Sequence, residues 1–319
     1  EKVKNLNLPF LYCNMVGAQD ELIFDGQSIG LSERGNLIAY GNPFEEEVIL
    51  VNTDRKKELE VNFQSREEKT YNALCLGVKD YFYKTGHKEA VIGLSGGIDS
   101  ALVAAIATEA LGRDKVHGVS LPSKYSSDHS LSDAEDLTST LGISHEVIPI
   151  QACVDEMEQT LKSCFSGHSP NVAEENIQAR IRGDILMALS NKFGWMVLST
   201  GNKTELALGY CTLYGDMSGG LSVISDLSKT DVYSLAHWIN SKYPGRIPIG
   251  SIKKPPSAEL APNQVDPFDY DIVSPLVDLI IEEGKTVIQL IELGIDKELV
   301  NLVYQKIRVS EYKRRQAAP

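Results

Sequence analysis

Along the first fifty-odd residues the apolar positions come in short runs separated by turn residues. The runs at 10–15, 21–24, 27–31, 37–40 and 48–52 are broken by Gly-Ala-Gln-Asp, Asp-Gly and Ser-Glu-Arg-Gly stretches, which predicts strands and turns with no helical period. The charged stretch 53–60 is expected to be a linker or the start of the next domain. From about Ser65 the texture changes to amphipathic helices alternating with short apolar strands, the pattern of a parallel α/β sheet. Helices are predicted over 65–85, with Ser65 as N-cap and Glu68 completing a capping box, and over 100–111, 130–141, 153–165 and 173–193. The strands between them are predicted at 90–94, 116–121, 145–150 and 196–199, and further helices at 229–240, 275–283, 286–293 and 297–309.

Composition narrows the class. A chain of 319 residues suffices for two domains, and 42% hydrophobic residues with a mean hydropathy of −0.15 describe an ordinary globular protein. A net charge of −13 and a pI near 5.0 argue against a nucleic-acid partner held by a broad basic face. No apolar run approaches the roughly 20 residues a membrane span needs. Cys13, Cys75, Cys153, Cys164 and Cys211 are odd in number and lack C-x-x-C spacing, which fits a reduced, cytoplasmic chain. None of the six histidines pairs at metal-ligand spacing, and all are read as structural or solvated. The start at Glu1, within sequence that reads as structured, suggests a fragment of a longer protein.

The chemistry concentrates where the first of the predicted parallel strands ends. Val91-Ile92-Gly93-Leu94-Ser95-Gly96-Gly97-Ile98-Asp99-Ser100 runs from a β-branched strand through a glycine turn into an alanine-rich helix. Glycines let the backbone turn sharply and approach a ligand closely. The N–H groups of the first helical turn favour a phosphate there. Ser95 and Ser100 add hydroxyl donors, and Asp99 adds a carboxylate suited to a magnesium ion beside the phosphates. The competing reading is a glycine turn that serves packing alone. No Walker lysine follows, and the dinucleotide spacing is absent. The loop resembles the pyrophosphatase-type (PP-loop) turn of synthetases that cleave ATP between its α- and β-phosphates.

Three further segments make the resemblance specific. They are Asn176-Ile177-Gln178-Ala179-Arg180-Ile181-Arg182-Gly183, Ser199-Thr200-Gly201-Asn202-Lys203-Thr204-Glu205, and Tyr210-Cys211-Thr212-Leu213-Tyr214-Gly215-Asp216 leading to Ser225-Asp226-Leu227-Ser228-Lys229-Thr230. Together with Lys254-Pro255-Pro256-Ser257-Ala258-Glu259-Leu260 and Glu311-Tyr312-Lys313-Arg314-Arg315-Gln316 they resemble, over 65–319, the ammonia- and glutamine-dependent NAD synthetases. The resemblance implies a doubly wound parallel sheet with helices on both faces, of the adenine nucleotide α-hydrolase-like kind. Residues 1–58 resemble the last strands of a nitrilase-type amidase domain, a β-rich remnant of its α/β sandwich. The amidase's catalytic set would lie upstream, and Cys13 is read as a packed thiol.

The implied reaction is ATP-dependent amidation of deamido-NAD. The nicotinate carboxylate is adenylylated with loss of pyrophosphate, then ammonia, supplied from glutamine in the full-length enzyme, displaces AMP. The resemblance implies that Gly93, Leu94, Ser95, Gly96, Gly97, Ile98, Asp99, Ser100, Leu121 and Thr200 bind ATP. Asp99 and Glu205 would hold Mg2+, and Lys229 would meet the charge of the departing pyrophosphate. Deamido-NAD would be held by Asn176, Arg180, Glu205, Tyr210, Cys211, Thr212, Leu213, Asp216 and Lys313. Plainer readings stay open: a helix-surface pair for Asn176 and Arg180, a surface carboxylate for Glu205, a solvated lysine for Lys229, a simple strand end for Leu121. The family forms homodimers through the synthetase domain and larger assemblies with the amidase attached, and usually continues past Gln316 with a basic tail that helps close the site. A GMP synthetase-like or tRNA-modifying PP-loop enzyme and a non-catalytic nucleotide-binding module are the alternatives.

Overall fold

The computed structural model describes residues 2–19, 21–54, 57–262 and 264–319, which fall into two compact units, Glu1–Gly86 and His87–Pro319. Asp20 of the first expected turn and Arg55 and Lys56 of the expected linker lie outside the described residues.

The first unit runs α1 (Lys2–Leu6), β1 (Phe10–Tyr12), β2 (Val16–Gln19), β3 (Leu22–Asp25), β4 (Ile29–Leu31), β5 (Leu37–Tyr40) and α2 (Arg66–Thr85). Strands β1, β4 and β5 form an antiparallel sheet in that order, and β2 and β3 form a hairpin. Cys13, expected to be a packed thiol, is exposed just after β1, and two expectations of regular structure are corrected as well. The single-turn helix α1 interrupts a segment expected to be β throughout, and 48–52 forms no strand. Val48 and Leu50 are 93% and 95% exposed, so their alternation meets no surface to bury it. Helix α2 starts at the expected cap, Ser65 Oγ accepting the Glu68 N–H at 3.2 Å as one half of the expected capping box, and ends at Gly86 in the left-handed conformation. Asp80 on α2 accepts the Ala18 N–H at 2.7 Å, and α2 packs within the first compact unit.

The second unit begins with β6 (Ala90–Gly93), α3 (Ile98–Leu111), β7 (Val116–Ser120), α4 (Asp128–Leu141) and β8 (Ser144–Val147). It continues through α5 (Gln151–Leu161), α6 (Val172–Phe193), β9 (Met196–Ser199), α7 (Lys203–Leu208), β10 (Leu221–Ser222) and α8 (Lys229–Lys242). It ends with α9 (Ile249–Lys253), α10 (Tyr270–Ile281), α11 (Val287–Glu292), α12 (Lys297–Val309) and α13 (Glu311–Arg314). The five strands are parallel in the order β10-β9-β6-β7-β8. The chain winds outward from β6 to β8 and then returns to the other side at β9, so the order reverses between β6 and β9. Ligands bind at such a reversal, outside the carboxyl ends of the strands.

Packing fixes that end of the sheet. Ile98 and the run from Ser100 to Ala107 on α3 are all buried, as the apolar surface on every side of that helix requires. Val91, Val119, Val197, Ile177 and Ile181 join the sheet to α6, while Ala207 and Leu208 of α7 pack with Val273, Leu276 and Val300. Each such buried Ile or Leu contributes about 2 kcal/mol. Helix α10 starts at Tyr270, five residues before its expected start at Pro275, because the Asp269 side chain caps it by accepting the Asp271 N–H at 3.1 Å.

Candidate functional site

The turn after β6 is shaped by one of its two glycines. Gly96 has φ +71°, and a Cβ there would lie 2.5 Å from the Ser130 carbonyl oxygen, so only glycine fits. Gly97 has an ordinary φ of −84° and serves as N-cap of α3. No side chain caps that helix start, so its first-turn N–H groups are left facing the loop. Ser100 Oγ donates to the Gly97 carbonyl at 3.1 Å and lies 3.3 Å from Ser95 Oγ.

Three charged side chains meet beside this turn. Lys229, 2% exposed at the start of α8, places Nζ 2.5 Å from Asp99 Oδ2 and 3.3 Å from Glu205 Oε1. Burial opposes the charge on Lys229, but Glu205 and Asp99 outweigh it and raise the ammonium above the ordinary lysine range. Burial lifts the Glu205 carboxyl to about 7, with Lys229 opposing the rise and Asp99 adding to it. Asn202 sets both carboxylates. Its Nδ2 donates to Asp99 Oδ1 at 2.9 Å, while its Oδ1 accepts the Glu205 N–H at 3.0 Å in the capping box that starts α7. The sequence signal for Asn202 is the Asn-x-x-Glu spacing of a capping box.

A cavity of about 290 Å³ lies over these strand ends. Gly93, Leu94, Ser95, Gly97, Ile98, Asp99, Ser100, Leu121, Thr200, Glu205, Tyr210, Asp216 and Lys229 line it. Arg182, Lys254, Glu259 and Asp266, to which no role had been given, line it too. Arg182 donates from Nε to the Leu121 carbonyl at 2.9 Å, and burial lowers its guanidinium to about 10.

The other expected contacts lie apart from the cavity lining. Thr212 Oγ1 donates to Asn176 Oδ1 at 2.8 Å, Arg180 Nε donates to the Leu213 carbonyl at 3.2 Å, and the Thr212 N–H donates to Asp216 at 2.7 Å. Lys313 Nζ donates to the Gly209 and Cys211 carbonyls at 2.8 and 2.6 Å. Burial pushes the Cys211 thiol up to about 12, so it stays neutral. These groups fasten the turn after α7 to α6 and to the C-terminal segment.

Among the described residues no group of three or more His, Cys, Asp or Glu side chains converges as a metal site. Asp99 and Glu205 nevertheless suit a hard cation, because magnesium commonly takes one or two carboxylates and completes its shell with phosphate oxygens and water. No helix among the described residues is long and apolar enough to cross a membrane.

A parallel sheet with a glycine turn, an uncapped helix start and paired carboxylates at its reversal point defines a phosphate-binding α/β fold of the PP-loop kind. A family model described as NAD synthase matches residues 70–317, and the chain belongs to that family. A glutamine-dependent NAD(+) synthetase of Thermotoga maritima is 44% identical over 99% of this chain and 62% of its own length. Among solved structures, a glutamine-dependent NAD+ synthetase from Acinetobacter baumannii in complex with ADP is 38% identical, with a TM-score of 0.77, covering 100% of this chain and 60% of that one. An NMN synthetase from Francisella tularensis is 25% identical, with a TM-score of 0.68, covering 80% of this chain and 99% of that one. The chain therefore spans about three fifths of the length of its glutamine-dependent relatives.

Proposed function

We propose that the second unit forms NAD from deamido-NAD, ATP and ammonia. A nicotinate carboxylate oxygen bonds to the α-phosphorus of ATP as the bond from that phosphorus to the α–β bridging oxygen breaks and pyrophosphate leaves. Ammonia then bonds to the acyl carbon, AMP departs with the carbon–oxygen bond pair, and the surplus proton passes to solvent or a cavity base. The protein's part is positioning and electrostatic stabilisation. The carrying observation is that the Gly93–Ser100 turn, Asp99, Glu205 and Lys229 line one cavity at the sheet reversal.

Within this reading the α3 N–H groups, Ser95 and Ser100 hold phosphates, Leu121 packs on adenine and Thr200 hydrogen-bonds the nucleotide. Asp99 and Glu205 would hold magnesium, which supplies charge neutralisation on the phosphates when bound. Asn176, Arg180, Thr212, Leu213 and Lys313 set the turn that faces deamido-NAD with Tyr210, Cys211 and Asp216. Residues 1–58 are read as the end of an amidase domain that, in a longer protein, passes ammonia from glutamine. The assembly is read as a cytoplasmic homodimer joined through the second unit.

The test is NAD formation by this chain with ammonium or glutamine as nitrogen source, and with deamido-NAD or deamido-NMN as acceptor. NAD from deamido-NAD with ammonium alone is the expected result. NMN formed in its place would move the acceptor to the mononucleotide. Bound ATP with no amide formed on either acceptor would favour another PP-loop synthetase, GMP synthetase-like, or a non-catalytic module.

A further inference from the structure

Lys254 lies on the irregular stretch just after α9, and its ammonium is aimed at the phosphate loop. Nζ is 3.4 Å from the Ser95 carbonyl oxygen, 2.5 Å from Ser130 Oγ and 3.1 Å from Glu259 Oε1. Glu259 brings both carboxylate oxygens to the same place. They accept from Ser127 Oγ at 2.9 Å, from Ser130 Oγ at 2.8 Å and from the Ser127 N–H at 3.4 Å. Glu259 also carries φ +48°, in the left-handed region that a non-glycine residue adopts at a cost. A strained carboxylate thus collects an ammonium, two hydroxyls and an amide beside a loop built for phosphate, inside the cavity wall.

Lys229 offers a contrast. Its side chain is 3% exposed and it faces two carboxylates, so its single charge is already matched. Lys254 is 17% exposed and faces one carboxylate, carried on a segment outside any helix or strand. Of the two cations, Lys254 is the one an incoming anion can recruit by displacing a single carboxylate.

We propose that Lys254 binds the β- and γ-phosphates of a nucleoside triphosphate, and that Glu259 is a positioning residue that holds the ammonium at the loop until phosphate oxygens replace its carboxylate. The assignment rests on the nucleotide reading above and adds a phosphate cation to it. Ser127 and Ser130 pass from the carboxylate to the phosphate in the same exchange.

The experiment compares binding of magnesium–ATP and of AMP to the whole chain, wild type and K254A, K254R and E259Q, by calorimetry, with melting curves as the folding check. K254A is expected to weaken ATP by about tenfold or more, the scale of a lost charge-assisted hydrogen bond, and to leave AMP within about twofold. K254R should recover part of the loss. E259Q should tighten ATP, because the competing anion is gone while the side-chain shape remains. Equal loss of ATP and AMP in folded K254A, or loss of neither, overturns the cation assignment. Weaker ATP binding by E259Q overturns the positioning role. Wild-type chain that binds ATP without forming NAD sinks the synthetase reading alone, and the K254A comparison still decides this one. Wild-type chain that binds no ATP sinks both.

Discussion

At the phosphate-loop end of the cavity, Asp99, Glu205 and Lys229 are charged groups set against one another in the cavity wall beyond β6 and β9. At the turn after α7 the residues are equally polar, yet Asn176 Oδ1 accepts from Thr212 and both Arg180 Nε and Lys313 Nζ donate to backbone carbonyls, with the rest of the Arg180 guanidinium left exposed. Similar residue types therefore do different work. At the loop the charges are imperfectly balanced, with two carboxylates to one ammonium, and an added cation or phosphate changes that balance. At the turn the hydrogen bonds tie side chains to the backbone and to one another. A resemblance in sequence brings both sets over together as binding residues, whereas the contacts differ: one set faces the cavity and the other bonds largely to the backbone of the turn.

The largest effect should separate the two ends outright. D99A is expected to cut pyrophosphate release by about a thousandfold, the upper range for removing a preorganised charge partner, and also to lower the melting temperature because buried Lys229 loses one of its two carboxylates. N176A measured beside it should lose far less turnover. A comparable loss in N176A with melting unchanged would erase the distinction. Next comes the turn itself. G96A should cost about 2 kcal/mol from its left-handed φ alone, and more from contact with the Ser130 carbonyl. G97A meets only Ser95 Oγ at 3.2 Å and should cost much less. Denaturant melts of the pair test this, and equal costs would show that the loop is not pinned at Gly96. Smaller again, K313A should lose about 1 kcal/mol of stability through its two carbonyl contacts. It should raise KM for deamido-NAD more than KM for ATP, and a reverse order would move Lys313 to the loop end.

How much of this was legible beforehand follows the same division. The helix–strand alternation after residue 87 and the loop at 93–100 are carried by local signals, namely burial pattern, glycine and caps, and they match the structure. The first unit was less legible, because runs such as Phe10-Leu11-Tyr12 and Val48 remain exposed and alternation says nothing when no surface covers it. Helix α7, which carries Glu205, has six residues, too few to show a period, so only its Asn202 cap could have revealed it. Lys254 and Glu259 lay beyond reach for a different reason. They sit outside any regular element and meet Ser127 and Ser130 across more than a hundred residues of chain, a juxtaposition that no local spacing encodes.

The pH dependence is the most diagnostic of the loop's charge imbalance. The folded chain holds the Glu205 carboxyl near 7 against an ordinary value of 4.5, chiefly through burial. Below about pH 4.5 the carboxyl is protonated in both folded and unfolded chain, and its contribution to stability is fully present. Between 4.5 and 7 the unfolded chain releases the proton first, so that contribution is lost as pH rises through the folded value. The ligand-free wild-type chain should therefore lose stability relative to E205Q across that window, seen as a narrowing or reversing gap between their melting curves. Magnesium–ATP favours the ionised carboxylate, and its binding to wild type should strengthen over the same range. N176A removes no titratable group and should keep a constant gap to wild type throughout. A flat wild-type-to-E205Q difference would mean that Asp99, Glu205 and Lys229 are as settled as the turn, and that the two ends of the site do not differ in the way their contacts imply.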